Sequence, residues 1–167
     1  LQHPNLYSGG TSAKKDDLLN RNKFPIFKTN RGGQWTFHGS GQKVIYFAID
    51  LNSEKNLKDF IRKVESWVIQ VLKSYNINSY NDRKNIGIWV DNKNNSEKIA
   101  AIGIRVKKWI AYHGFSINID NDLKKYDAII PCGIKDKGIT NLKTINNQNY
   151  TDLKDRIIKN FILNLQN

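Results

Sequence analysis

The sequence predicts an α/β chain of the α+β type, a mixed and largely antiparallel sheet with helices packed on it. Residues 44–51, 98–107 and 109–119 are rich in β-branched and aromatic side chains, as buried strands are. Apolar residues between 57 and 75 recur at helical spacing, enough for one long amphipathic helix. Several of the strands have only turns between them, which antiparallel pairing allows and a doubly wound parallel sheet does not.

The elements follow in order. Residues 1–30 read as irregular and polar, with Gly9-Gly10, Lys14-Lys15-Asp16-Asp17 and Pro25 marking loops around one short extended piece at 24–27. A glycine-rich stretch occupies 31–42, and 44–51 reads as a buried strand. Leu57, Phe60, Ile61, Val64, Trp67, Val68, Val71, Leu72 and Tyr75 form the helix stripe, suited to packing on a sheet. Residues 86–90 read as a short strand and 91–97 as a polar turn. The two long extended pieces follow, with 98–103 placing Lys98, Ala100 and Ile102 on one face by strict alternation, and Ile99, Ala101 and Gly103 on the other. Residues 128–130 lead into Pro131-Cys132-Gly133 and a loop punctuated by glycine. Thr151 caps a last helix with Asp152 and Asp155 in its first turn, and Leu153, Ile157, Phe161, Ile162 and Leu165 on its apolar face.

At 167 residues and 39% hydrophobic content, residues 1–167 are expected to form a single domain with one sizeable core. No apolar run approaches the roughly 18 residues of a membrane span, so a soluble chain without a membrane partner is expected despite a polar mean hydropathy of −0.60. The chain starts at Leu1 and contains no methionine, so the N-terminal part of the natural chain is expected to be missing. Lys and Arg number 27 against 15 Asp and Glu, a net charge of +12 with a pI near 9.8. Such an excess favours acidic partners: nucleic acid, anionic lipid or an acidic protein. The basic residues are scattered, with no block of five or six. A coding bias toward Lys, Asn and Ile accounts for them better than either kind of partner. An acidic protein ranks ahead of nucleic acid.

Cys132 is the one cysteine. It cannot form an intramolecular disulfide or a cysteine-rich metal site, which leaves an inert buried thiol or a nucleophile. A thiol at a strand-to-turn junction, after Pro131 and beside a free Gly133 N–H, would make a workable nucleophile and oxyanion arrangement. Lys98 reads as a solvated strand-end lysine, or as a partly desolvated base beside small residues that leave room for a ligand. Gly32, Gly33, Gly39 and Gly41 stand among Arg31, Thr36, His38 and Gln42. They lack the phosphate-loop endings and read as a binding loop of another kind. His113, lone in an apolar strand, reads as a hydrogen-bonded core residue.

Four motifs occur in order: Arg31-Gly32-Gly33-x-x-Thr36-x-His38-Gly39-x-Gly41-Gln42, Lys98-Ile99-Ala100-Ala101-Ile102-Gly103, His113-Gly114-Phe115-x-x-Asn118 and Pro131-Cys132-Gly133. Together they resemble the lipoyl(octanoyl) transferase family, the octanoyl-[acyl-carrier-protein]–protein N-octanoyltransferases, from Leu1-Gln2-His3-Pro4 to about Leu142. Ser40 stands where the family has proline, which loosens that loop. The resemblance implies a catalytic domain like those of biotin and lipoate protein ligases, and an acyltransferase working through an octanoyl thioester on Cys132. Lys98 would lower the thiol's pKa and act as acid and base. Arg31, Gly32, Gly33, Gln34, Trp35, Thr36, Phe37, His38, Ala101, Ile102, Gly103, His113, Gly114 and Phe115 would line the acyl site. It implies no metal and no cofactor. Octanoyl-acyl carrier protein would be the donor; the lipoyl domains of 2-oxoacid dehydrogenase complexes and the glycine cleavage protein would be acceptors, in a bacterial cytoplasm. The rival readings are an ATP-dependent lipoate–protein ligase of the same fold and a basic, non-catalytic nucleic-acid-binding module.

Overall fold

Two sheets of unequal size face each other, and the site lies between them. The computed structural model describes residues 1–93, 95–133 and 137–165, with the side chains of Cys132 and Leu165 excepted. The smaller sheet is built from β1 (Leu6–Gly9), β2 (Ile26–Lys28) and β3 (Trp35–His38), in the order β2-β1-β3. β1 runs parallel to β2 and antiparallel to β3. Its side chains feed a compact aromatic core in which Tyr7, Trp35, Phe37 and Tyr126 are buried, with Phe24 packed against them. The segment that reads as irregular around one extended piece at 24–27 thus carries two strands, β2 overlapping that piece and β1 unexpected. A strand as short as β1 shows too few alternations to be recognised locally.

The larger sheet holds β4 (Gln42–Asp50), β5 (Tyr80–Asn81), β6 (Ile88–Asn92), β7 (Asn95–Lys107) and β8 (Ile110–Asn118), ordered β4-β8-β7-β6-β5 and antiparallel throughout. A short β9 (Gly138–Ile139) joins β7 in parallel at Glu97 and Lys98, beyond the point where β8 stops pairing. The mixed, largely antiparallel sheet is as expected. The hairpin of β6 and β7 pairs as far as Asn92 and Asn95, deep into the stretch expected to be a turn.

Helix α1 (Leu57–Lys73) starts where Asn56 accepts the amides of Lys58 and Asp59, satisfying donors with no partner inside the helix. Its stripe, Phe60, Val64, Trp67, Val68, Val71 and Leu72, is buried against Ile88, Val90, Ile99, Ala111, Phe115 and Ile117 of the sheet. After the short α2 (Leu142–Ile145), helix α3 (Leu153–Leu165) packs on α1, and the Trp67 indole N–H donates to the Ile157 carbonyl at 2.8 Å. Asp152, not Thr151, precedes the helix and takes the first helical hydrogen bond, from Arg156 N–H. Leu153 and Ile157 are buried as expected, but Ile162 is exposed.

Candidate active site

Strict alternation fails on β7, and the failure builds the site. Ile88 pairs with Ala100 and Trp89 with Lys98, so Ile99 is an extra residue opposite a register shift. A bulge of this kind re-aims the side chains on either side of it. Ile99 and Ala100 both enter the core beneath α1, while Lys98 lines the opposite face with Ala101 and Gly103. The expected grouping of Lys98 with Ala100 is therefore corrected, while Ile102 does reach the cavity wall beside Lys98. At Gly103 a Cβ would come within 3.0 Å of Arg31 Cδ and 3.2 Å of the Gly32 carbonyl, so the glycine lets the 31–33 loop lie close on the strand without a shift.

Between the sheets lies a cavity of about 840 Å³, within the range of small-molecule sites. Its wall includes Arg31, Gly32, Gly33, Gln34, Trp35, Thr36 and His38 from the glycine-rich stretch and β3, with Lys98, Ala101, Ile102 and Gly103 from β7. His113, Gly114 and Phe115 of β8 complete that side. Phe37 is not in the wall: it alternates away into the aromatic core of the small sheet, against Tyr126 and Phe24. Sequence reasoning also passes over Ser8, Val44, Ile45, Tyr46, Leu57, Ile61 and residues 84–86, all of which line the cavity. These residues come from segments that read only as loop, strand or helix and belong to none of the four motifs. Among the described lining residues none is acidic, while Arg31, Lys84 and Lys98 are cationic.

Lys98 is not the solvated lysine of the bland reading. Only 3% of it is exposed. Its Nζ donates to the Ile86 carbonyl at 2.9 Å and lies 4.6 Å from the centre of the Trp89 ring. Buried polar groups keep their hydrogen bonds, and an ammonium gains further from the face of an indole.

Arg31 works as a clip. Its Nη2 donates to the Ser8 carbonyl, Ser8 Oγ and the Gln34 carbonyl at 2.7–2.9 Å, joining the loop to β1. Since Ser8 Oγ accepts from Arg31, its own proton goes to His38 Nε2 at 3.1 Å, and His38 Nδ1–H donates to Gln42 Oε1 at 2.7 Å. Gln42 Nε2 then donates to the Phe37 carbonyl, Asn118 Oδ1 and the Tyr126 hydroxyl. Burial, with Arg31 and His3 adding to it against the Gln42 hydrogen bond, pulls the His38 pKa down to about 4. The imidazole is neutral near pH 7. His113 lies on the cavity wall with φ +71°, its Nε2 2.6 Å from Asn30 Oδ1. Burial first, then Arg31 and Arg105, also lower its pKa.

Cys132 sits in the 3-10 turn Pro131–Gly133, where only its backbone is described. The turn packs on β3, and Pro131 and Lys98 border the same small void together with Thr36 and Ala101. Gly133 has φ +67°, and a Cβ there would come within 2.7 Å of the Gln34 side chain. Its N–H is not free: it donates to the Ile130 carbonyl at 3.1 Å and closes the turn. The expected oxyanion donor beside the thiol is thus engaged.

Residues 1–162 match the family model of the lipoyl protein ligase A/B catalytic domain. An octanoyltransferase of Ehrlichia chaffeensis is 45% identical over 147 residues, 87% of this chain and 69% of the relative. One from Zymomonas mobilis is 44% identical over 146 residues, 87% and 68% of the two. Among solved structures, the bipartite lipoate protein ligase of Thermoplasma acidophilum superposes with a TM-score of 0.77 at 12% identity, over 99% of this chain and 69% of that one. The biotin protein ligase of Aquifex aeolicus gives 0.58 at 19%, over 75% and 53%. The structures share the fold; the relatives share the sequence over most of the chain, which belongs to the octanoyltransferases of the lipoyl protein ligase A/B catalytic-domain family.

Proposed function

We propose that the chain moves an octanoyl group from octanoyl-acyl carrier protein to a lysine of a lipoyl domain through a thioester on Cys132. The observation that carries this is Lys98: a buried ammonium in the wall of a cavity with no acidic group among its described lining residues, next to the turn that bears the one cysteine. In the first step the Cys132 thiolate attacks the thioester carbon of the donor. A new S–C bond forms, the carrier's C–S bond breaks, and the departing sulfur takes a proton from Lys98. In the second step Lys98, now neutral, takes the proton of the attacking lysine amine. A C–N bond forms and the Cys132 sulfur leaves. Exchange between thioesters is nearly balanced and amide formation runs downhill, so no ATP is consumed.

The cationic wall favours thiolate over thiol and suits the oxyanion of each tetrahedral intermediate. Val44, Ile45, Ile102 and Phe115 give the acyl chain an apolar lining, where each buried methylene contributes about 0.8 kcal/mol. The acceptors in this reading are the lipoyl domains of 2-oxoacid dehydrogenases and the glycine cleavage protein, and the setting is the cytoplasm. The test is intact mass after exposure to octanoyl-acyl carrier protein without ATP. Wild type is expected to gain one octanoyl group and Cys132→Ala none. A wild-type mass that stays unmodified overturns the thioester route and favours an adenylate-forming ligase.

A further inference from the structure

The 82–87 loop carries no motif, yet it holds Lys98. Asp82 shapes it: Oδ1 accepts the Lys84 amide at 2.8 Å, and Oδ2 accepts Asn85 Nδ2 at 2.7 Å. Two carbonyls of the loop are thereby turned toward β6 and β7. That of Asn85 takes the Trp89 indole N–H at 2.9 Å, and that of Ile86 takes Lys98 Nζ at 2.9 Å. The same Asp82 Oδ2 accepts Lys137 Nζ at 2.8 Å, and both partners of this ion pair are more than three-quarters buried. Lys137 lies immediately before β9, where the chain that left the Cys132 turn returns beside Lys98. Its Nζ is 4.5 Å from the centre of the same Trp89 ring that Lys98 approaches at 4.6 Å. Two ammoniums against one indole repel each other, and the Asp82 carboxylate offsets the charge of the second. The Lys137 hydrogen bond first, then those of Asn85 and the Lys84 amide, hold this carboxyl well below the usual carboxylate range.

We propose that Asp82 and Lys137 are positioning residues: their ion pair ties the chain returning from Cys132 to the loop that holds the Lys98 ammonium, and so fixes sulfur and amine relative to each other. This rests on the thioester reading above. The assignment is testable because its sign differs from that of a simple field effect. By charge alone, removing the Asp82 carboxylate favours a thiolate and removing the Lys137 ammonium disfavours it. A broken clamp loosens Lys98 in both cases and disfavours the thiolate in both.

The experiment follows alkylation of Cys132 by iodoacetamide against pH, read by intact mass, which a single cysteine makes unambiguous. Asp82→Asn and Lys137→Met are expected to raise the midpoint by about one pH unit, as Lys98→Ala does. They are also expected to slow octanoyl loading about tenfold, while Lys137→Arg restores both values. A midpoint that falls or stays put in Asp82→Asn, with Lys98→Ala still raising it, overturns the clamp and leaves the role of Lys98 standing. A midpoint unmoved by Lys98→Ala overturns both.

Discussion

Single side chains decide the protonation states of the site. Lys98 reaches the cavity with its ammonium already paired to a carbonyl and an indole, so its position does not depend on the ligand. Lys98→Ala is expected to slow octanoyl loading by about a hundredfold or more, the usual share of a general acid–base, with the folded state retained by circular dichroism. Loading at near wild-type speed would remove Lys98 from the chemistry. His38 makes a different prediction. Its folded pKa, about 4, lies below its unfolded value of 6.5, so between these values the unfolded chain binds more protons. Stability from this group is fully present above pH 6.5 and is lost as pH falls toward 4. Urea unfolding at pH 7 and pH 5 should differ by about 2 kcal/mol on this account. In His38→Gln the difference should shrink, while stability at pH 7 drops by about 1–3 kcal/mol as Ser8 and Gln42 lose a partner. An equal pH dependence in wild type and variant would assign the acid sensitivity to other groups.

At the scale of elements, the bulge on β7 decides which small residues face the cavity. Ala101 shares the cavity face with Lys98, so Ala101→Leu should shorten the chains accepted. Octanoyl loading is expected to fall about ten- to a hundredfold relative to butanoyl loading, measured as adduct formation from the two carrier thioesters. An unchanged preference would mean that the chain runs along another wall. This strand also shows what a sequence can disclose. Helix α1 is legible because many residues repeat one period, and β4 and β8 because long runs of β-branched and aromatic residues mark them, though which strands pair is not. The Ile99 bulge is not, because a single inserted residue breaks the period without changing the composition. β1 and β3 are too short to show alternation, so nothing local sets Phe37 apart from its neighbours in the stretch that the resemblance assigns to the acyl site, although it points into the aromatic core. Three of the four motifs that carry the family resemblance contribute residues to one cavity, while the described residues of the Pro131–Gly133 turn pack on β3 and border only a small void that Lys98 also lines. Asp82 and Lys137 bear no motif, and only the fold brings them together.

At the scale of the whole molecule, the two facing sheets leave one broad cavity, and the charge around it belongs to the entire chain. A net charge of +12 with no compact basic block acts at long range, on encounter, and contributes little to any one contact. Screening then separates encounter from chemistry: the Debye length is about 8 Å at physiological ionic strength and about 3 Å at 1 M. If an acidic carrier delivers the octanoyl group, kcat/KM for transfer should fall about tenfold or more between low and high salt. Alkylation of Cys132 by neutral iodoacetamide has no charge on the reagent to screen and should change far less. Measuring both over one salt series distinguishes steering of the donor from a general effect of salt on the thiol. Parallel declines would locate the salt effect in the site itself. A flat kcat/KM beside a flat alkylation rate would mean that the lysine excess takes no part in capturing the donor, and reflects composition alone.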